Sequence, residues 1–272
     1  MKFAAILSST VLASAALAAP LSEQRRARNT ARLQARAAQR HSNFPLTEGT
    51  NQLLAVDENP QRQFSTNWAG AVLIGSGYTS VAGTFTVPQP AYPAGAPQHG
   101  EYCASAWVGI DGDTCRSAIL QTGIDFCVDS NGPNFSAWYE WFPDFSYDFS
   151  NIEFSVGDNV RVSINAFDTS SGNATVENLT TGKTVSHTFP NQGYDAQLCE
   201  TNAEWIVEDF SRGFVLVPFV DFDTVTFTDI SAIDNGVKVG AAGSTIFDIR
   251  QNNVTFTSST VTNDEITVKY IA

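Results

Sequence analysis

Histidine is scarce in this sequence, and its scarcity removes the commonest hydrolytic machinery. Of three histidines in 272 residues, one sits in the N-terminal leader. Of the other two, His99 lies in a Pro/Gly-rich stretch and His187 within Val185-Ser186-His187-Thr188. Neither context suits a Ser-His-Asp triad, and no G-x-S-x-G elbow is present. Two scattered histidines, with no C-x-x-C among the four cysteines, are also a poor basis for a zinc site. The Ile110-Asp111-Gly112-Asp113 stretch carries only a weak calcium pattern, and Asp111 fits a turn-forming role equally well. No metal or cofactor is expected. Sustained helical periodicity is missing too, and after residue 18 no apolar run is long enough to cross a membrane as a helix. Basic residues are sparse beyond residue 63. The first 63 residues hold eight basic and four acidic side chains, +4, and the remainder seven and twenty-four, −17, which sum to the net −13. So acidic a domain repels phosphate, which excludes nucleic acid as a partner.

Residues 1–18 combine Lys2, an apolar run from Phe3 to Leu17 and the small-residue end Ala16-Leu17-Ala18. That is the pattern of a secretory signal peptide, so a secreted, extracellular protein is expected. Residues 19–63 are rich in arginine and alanine and too poor in large apolar side chains to build a core. They read as a basic pro-segment that lies across the acidic domain as its own inhibitor and loosens when carboxylates protonate. Residues 64–272 suit one substantial domain, expected as a monomer.

Within it, short segments with period-two alternation are separated by Gly, Pro, Asn and Asp. Strands are expected at Trp68–Ile74, Ser80–Val87, Ala104–Ile110, Ala118–Thr122, Ser136–Phe142, Asn159–Phe167, Ala174–Asn178, Val185–Phe189, Ala203–Phe210, Val225–Ile230, Thr245–Ile249, Val254–Ser258 and Glu265–Ile271. Many short strands without alternating helices imply an all-β fold, an antiparallel sandwich or barrel. Residues 88–101 form the longest break, a loop expected to be exposed and easily nicked. Cys103, Cys115, Cys127 and Cys199 are even in number in an exported chain, so two disulfides are expected. Three connectivities are possible. The expected one joins Cys115 to Cys199 and Cys103 to Cys127.

The segment Ala203–Phe210 carries three carboxylates. On a strand, Glu204, Ile206 and Glu208 share one face while Trp205, Val207 and Asp209 share the other. Either this is an edge strand with its acids in water, or Glu208 lies in a cleft that uses its charge. Trp107 and Asp111 share a face, as do Ile119 and Gln121, and Ser136, Trp138 and Glu140. Each tryptophan could equally be a core residue. Gln121 stands out because a buried amide needs partners or a ligand. Carboxylate chemistry offers two classes. A peptidase needs one carboxylate as base and a neutral hydrogen-bond donor for the oxyanion. The alternative is a carbohydrate-active sandwich, either a glycanase using Glu140 and Glu208 or a lectin-like module.

Six segments carry a resemblance. They are Asn67-Trp68-Ala69-Gly70-Ala71-Val72, Trp107 to Cys115, Ala118-Ile119-Leu120-Gln121-Thr122-Gly123, Ala137-Trp138-Tyr139-Glu140-Trp141, Glu177 to Gly182 and Asn202 to Phe210. Together, in this order, they resemble the glutamic peptidases, or eqolisins. The resemblance implies a secreted acid endopeptidase acting on polypeptides, made as a pre-pro form and folded as a sandwich of two large curved antiparallel sheets, lectin-like in outline. It implies Gln121 and Glu208 as the catalytic dyad and places Trp107, Asp111, Trp138 and Glu140 at cleft positions. Glu140 and Asp111 are candidates to orient Glu208. Asn173, Asn178 and Asn253 head N-glycosylation triplets.

Overall fold

The computed structural model describes residues 40–41, 44–45, 62–213 and 215–272. The expected signal peptide lies outside these residues, as does most of 19–63. The compact unit begins at Arg40. Among the described residues the strands form sheets of nine, eight and three strands.

The nine-stranded sheet runs Val254–Thr255, Thr245–Gln251, Trp68–Ile74, Asn202–Glu208, Tyr102–Ile110, Ile119–Asp129, Gly132–Phe142 and Tyr147–Asp148, with Arg62–Ser65 paired to Thr245–Gln251. Every pairing is antiparallel except that of Arg62–Ser65, which straddles the expected pro-segment boundary and is tied down by an ion pair between Arg62 and Asp248. The main path of the eight-stranded sheet runs Lys183–Phe189, Ser171–Asn178, Asn159–Asp168, Tyr78–Thr86, Thr224–Asp234, Ile266–Tyr270 and Thr257–Val261.

Alternation decides what the sheets do to one another. Inward residues of the nine-stranded sheet, among them Trp205, Val207, Val108, Leu120 and Ile124, share one core with Val81, Phe85, Val162, Ile164 and Phe227 of the other sheet. The Trp205 indole N–H reaches across to donate to the Ala82 carbonyl at 2.9 Å. Asn159–Asp168 alternates buried and open positions, as expected of a sheet with one wet face. Asn202–Glu208 is buried at all seven positions. Its second face is therefore covered as well, and that face carries the polar residues singled out above.

Several strand limits differ from expectation, each for a local reason. The strand expected to end at Thr122 continues to Asp129. Gly123, which reads as a breaker, is required inside the strand, because a Cβ there would stand 2.4 Å from both the Trp107 Cβ and the Ala106 carbonyl oxygen. The Val254–Ser258 segment divides into Val254–Thr255 and Thr257–Val261. Asn202–Glu208 is flanked on both sides by partner strands, so the edge-strand reading is overturned. Both expected disulfides, Cys103–Cys127 and Cys115–Cys199, are present. Asn178 is fully buried, its amide nitrogen donating to Asp158 and the Glu153 carbonyl, which leaves no room for a glycan.

Candidate active site

Register builds the site. Residues directly opposite in an antiparallel ladder share a face, so three rows cross the covered face of the nine-stranded sheet. One runs Glu204, Gly109, Gln121, Glu140. The next runs Ile206, Trp107, Gly123, Trp138, and the third Glu208, Ser105, Asp125, Ser136. Gln121 and Glu208 thus point to the same side. Their strands are not adjacent: Tyr102–Ile110 lies between them, and Trp107 occupies the midpoint of the diagonal from one to the other.

Trp107 is fully buried, and its indole N–H donates to Glu208 Oε2 at 3.0 Å, a charge-assisted bond that favours the ionised carboxylate. Trp68 meets Trp107 edge to face with ring centroids 5.0 Å apart. Trp138 donates to Ser105 Oγ at 3.0 Å, and Ser105 in turn to the Ile124 carbonyl at 3.2 Å. Gln121 is fully buried, and neither its amide oxygen nor its nitrogen has a hydrogen-bond partner. A buried amide with four unused hydrogen-bonding valences is costly unless something else fills them.

Glu204 shares Gln121's row and is also fully buried with both oxygens unpartnered. Burial, reinforced by the charges of Asp111 and Asp113, pushes its carboxyl well above the ordinary glutamate range. Asp209, just past the strand, is likewise pushed well up by burial, against the pull of a hydrogen bond from Gln251.

Asp111 does something different from the cleft residues. It has a positive φ of 68°. Its carboxylate accepts four consecutive backbone N–H groups, Cys199 and Glu200 on one oxygen and Thr201 and Asn202 on the other, at 2.6 to 3.2 Å. It anchors the segment that leads into the Glu208 strand. His187 stacks on Tyr139 at 4.0 Å, and burial lowers its pKa.

Two described residues from the expected pro-segment, Arg40 and Phe44, lie against this face. Arg40–His41 pairs antiparallel with Ser211–Arg212. The Arg40 guanidinium donates from Nε to Asp125 Oδ1 at 2.8 Å and from Nη1 to Glu140 Oε2 at 3.4 Å, and its Nη2 lies 3.6 Å from Glu208 Oε2. Its Cζ stands 3.5 Å from the Trp138 ring centroid. Phe44 packs edge-on against Phe142 at 4.5 Å, and its carbonyl accepts from the Asn67 amide. Burial raises the Asp125 pKa, while the charge of Arg40 opposes the rise.

Sequence reasoning brought Gln121, Glu208, Trp107, Trp138 and Glu140 to this face. It missed Asp125, Ser105, Trp68 and Arg40 as participants. Asp125 follows Gln121 by four residues and would have been found had the strand been carried through Gly123.

Residues 66–270 match the Peptidase A4 family. Over the full length of both chains the sequence is 50% identical to aspergillopepsin-2 of Aspergillus niger and 41% identical to scytalidopepsin B of Scytalidium lignicola. Its fold superposes on the crystal structure of scytalido-glutamic peptidase with a transition state analog inhibitor, with a TM-score of 0.69 and 41% identity over 76% of this chain and 98% of that one. These matches settle the choice between peptidase and carbohydrate-active sandwich. With a two-sheet sandwich and this covered polar face, the chain belongs to the Peptidase A4 family, the eqolisins, and is a peptidase.

Proposed function

We propose that the chain is an exported endopeptidase working at acid pH, with Glu208 as general base and Gln121 as oxyanion donor. The observation that carries this reading is the pairing on one buried face of an amide with no partner and a carboxylate held by an indole N–H. Glu208 takes a proton from a water molecule while the water oxygen bonds to the scissile carbonyl carbon. The carbonyl π pair moves to oxygen, where the Gln121 N–H donates to it. Glu208 then passes its proton to the amide nitrogen, the C–N bond breaks, and an acid and an amine leave. An amide keeps its donor at every pH in this range, and a carboxylate can serve as base in acid, where an imidazole would be protonated. Trp107 fixes the base. Glu140 borders the site, and Trp68 and Trp138 supply aromatic walls.

Residues 19–63 act as an inhibitory pro-segment in this reading, with Arg40 as the plug. Its cation sits against the base and the neighbouring acids, and protonating those acids removes what holds it. Residues 1–18 direct export. Two disulfides fit an oxidising compartment. The test is cleavage of an unfolded protein at acid pH by the processed chain. Glu208→Gln and Gln121→Ala should each abolish it while leaving the melting transition in place, and normal cleavage by either variant would refute the assignment.

A further inference from the structure

Gln121 has a neighbour in its row that the reaction as derived so far leaves unused. Glu204, Gly109 and Gln121 lie opposite one another on three successive strands, so only a glycine separates the two side chains along the row. A Cβ on Gly109 would stand 3.0 Å from Glu204 Oε1 and 3.2 Å from its Cγ. The Glu204 side chain therefore leans across the glycine toward Gln121. Two strand spacings put about 10 Å between their Cβ atoms, a gap that two extended side chains close directly or with one water. Both groups are fully buried, and their four polar atoms have no partner among the described residues. We propose that Glu204 is a positioning residue for the peptidase reaction: as a neutral acid it donates its O–H toward the Gln121 amide oxygen, directly or through one water, and so aims the amide N–H at the oxyanion. The inference rests on Gln121 being the oxyanion donor.

An amide has an accepting end and a donating end, and its neighbour decides which way it turns. A neutral carboxyl group can donate, whereas an ionised one only accepts. Facing the neutral acid, Gln121 offers Glu204 its oxygen and keeps its NH2 for the substrate. Facing the ionised form, it gives the NH2 to Glu204 and presents its oxygen to the developing negative charge, which repels it. Only the first arrangement stabilises the tetrahedral intermediate.

The surroundings of Glu204 favour the neutral form. A buried carboxyl group without an ion-pair partner gives up its charge. Val72 stands opposite Glu204 on the strand to its other side. The Trp107 ring lies over Gly109, with Cζ3 2.7 Å from where a Cβ would be. The charges that act on Glu204 are those of Asp111 and Asp113, both acidic, and they add to burial in raising its pKa. Arg116 acts on Asp113 instead, and Glu140, at the far end of the row, is engaged by Arg40. Glu204 therefore keeps its proton through the acid range and loses it as pH rises through its raised value.

The experiment measures kcat and KM against pH for processed Glu204→Gln and Glu204→Met with one quenched peptide, over the pH range where circular dichroism shows each protein folded. Glu204→Met is close in volume and cannot donate. It should lower kcat about tenfold or more with KM little changed, the worth of one buried hydrogen bond made in the transition state. Glu204→Gln donates at every pH, so it should restore most of that loss in acid and carry activity further toward neutral pH than the unaltered enzyme. An alkaline limb that Glu204→Gln leaves in place, or an unaltered kcat in Glu204→Met, would overturn the assignment. If Glu204→Met does not fold, the alkaline limb of Glu204→Gln decides alone. Gln121→Ala separates this inference from the reading beneath it. Normal cleavage by that variant removes the oxyanion role itself, whereas its loss of cleavage beside Glu204 variants that match the unaltered enzyme removes only the positioning role.

Discussion

Replacing Arg40 by glutamine in the full-length precursor keeps a polar side chain of similar length and removes the charge. The substitution loses the buried hydrogen bond to Asp125 at 2.8 Å and the guanidinium stacked at 3.5 Å on Trp138. A charge-assisted hydrogen bond contributes about 1.5–3 kcal/mol and a desolvated cation–π contact about 1–2 kcal/mol. The longer approaches to Glu140 and Glu208 are counted as zero, because desolvation offsets the attraction of buried pairs. The sum is roughly 3 kcal/mol, about a hundredfold weaker hold on the leader. The sign with pH follows from Asp125. Arg40 pulls its pKa down against burial, so without Arg40 the acid takes its proton at higher pH, and the leader loosens earlier. The assay is release of a quenched peptide by purified precursor after brief exposure to a series of pH values. The variant should activate at higher pH and faster at any given pH. An activation midpoint and rate equal to those of the unaltered precursor would refute the reasoning.

Trp107→Phe removes the N–H that stabilises the charged form of Glu208. The acidic limb of kcat/KM should move up by about one pH unit or more, since a charge-assisted bond of about 1.5 kcal/mol corresponds to that much; an unmoved limb would count against Glu208 as the base. Glu204 has a raised folded-state pKa, so its stabilising effect is complete below the ordinary glutamate value and is lost as pH rises through the folded value. The melting temperature of the processed chain should therefore fall from pH 4 toward neutrality, and Glu204→Gln should flatten that fall, as scanning calorimetry would read. Joint replacement of Cys115 and Cys199 by serine opens a link spanning 84 residues. Chain entropy gives an upper value of about 4–5 kcal/mol, and urea unfolding with an unchanged midpoint would contradict it.

The sandwich was legible because its strands alternate cleanly, and Asn202–Glu208 is legible for the same reason: Trp205 and Val207 went to the core while Glu204, Ile206 and Glu208 took the other face. Spatial order was not legible. Nothing local to Gln121 or Glu208 says that Tyr102–Ile110 is threaded between them, since strand order is set by pairings of distant segments. Asp111 was ambiguous because an aspartate at a strand end serves a cleft or a turn equally well, and only the positions of four distant N–H groups decide. Arg40 is one of seven arginines before residue 64, with no local pattern to separate it from the rest. Its role depends on a pocket that the leader does not encode.

All five tryptophans are buried, and three of them, Trp68, Trp107 and Trp138, lie on the face against which Arg40 and Phe44 pack. Once Arg40 and Phe44 depart, those indoles meet solvent while Trp141 and Trp205 stay within the interior. If residues 19–63 act as the proposed pro-segment, intrinsic emission should then shift to the red in step with the gain of activity, an optical report that needs no substrate.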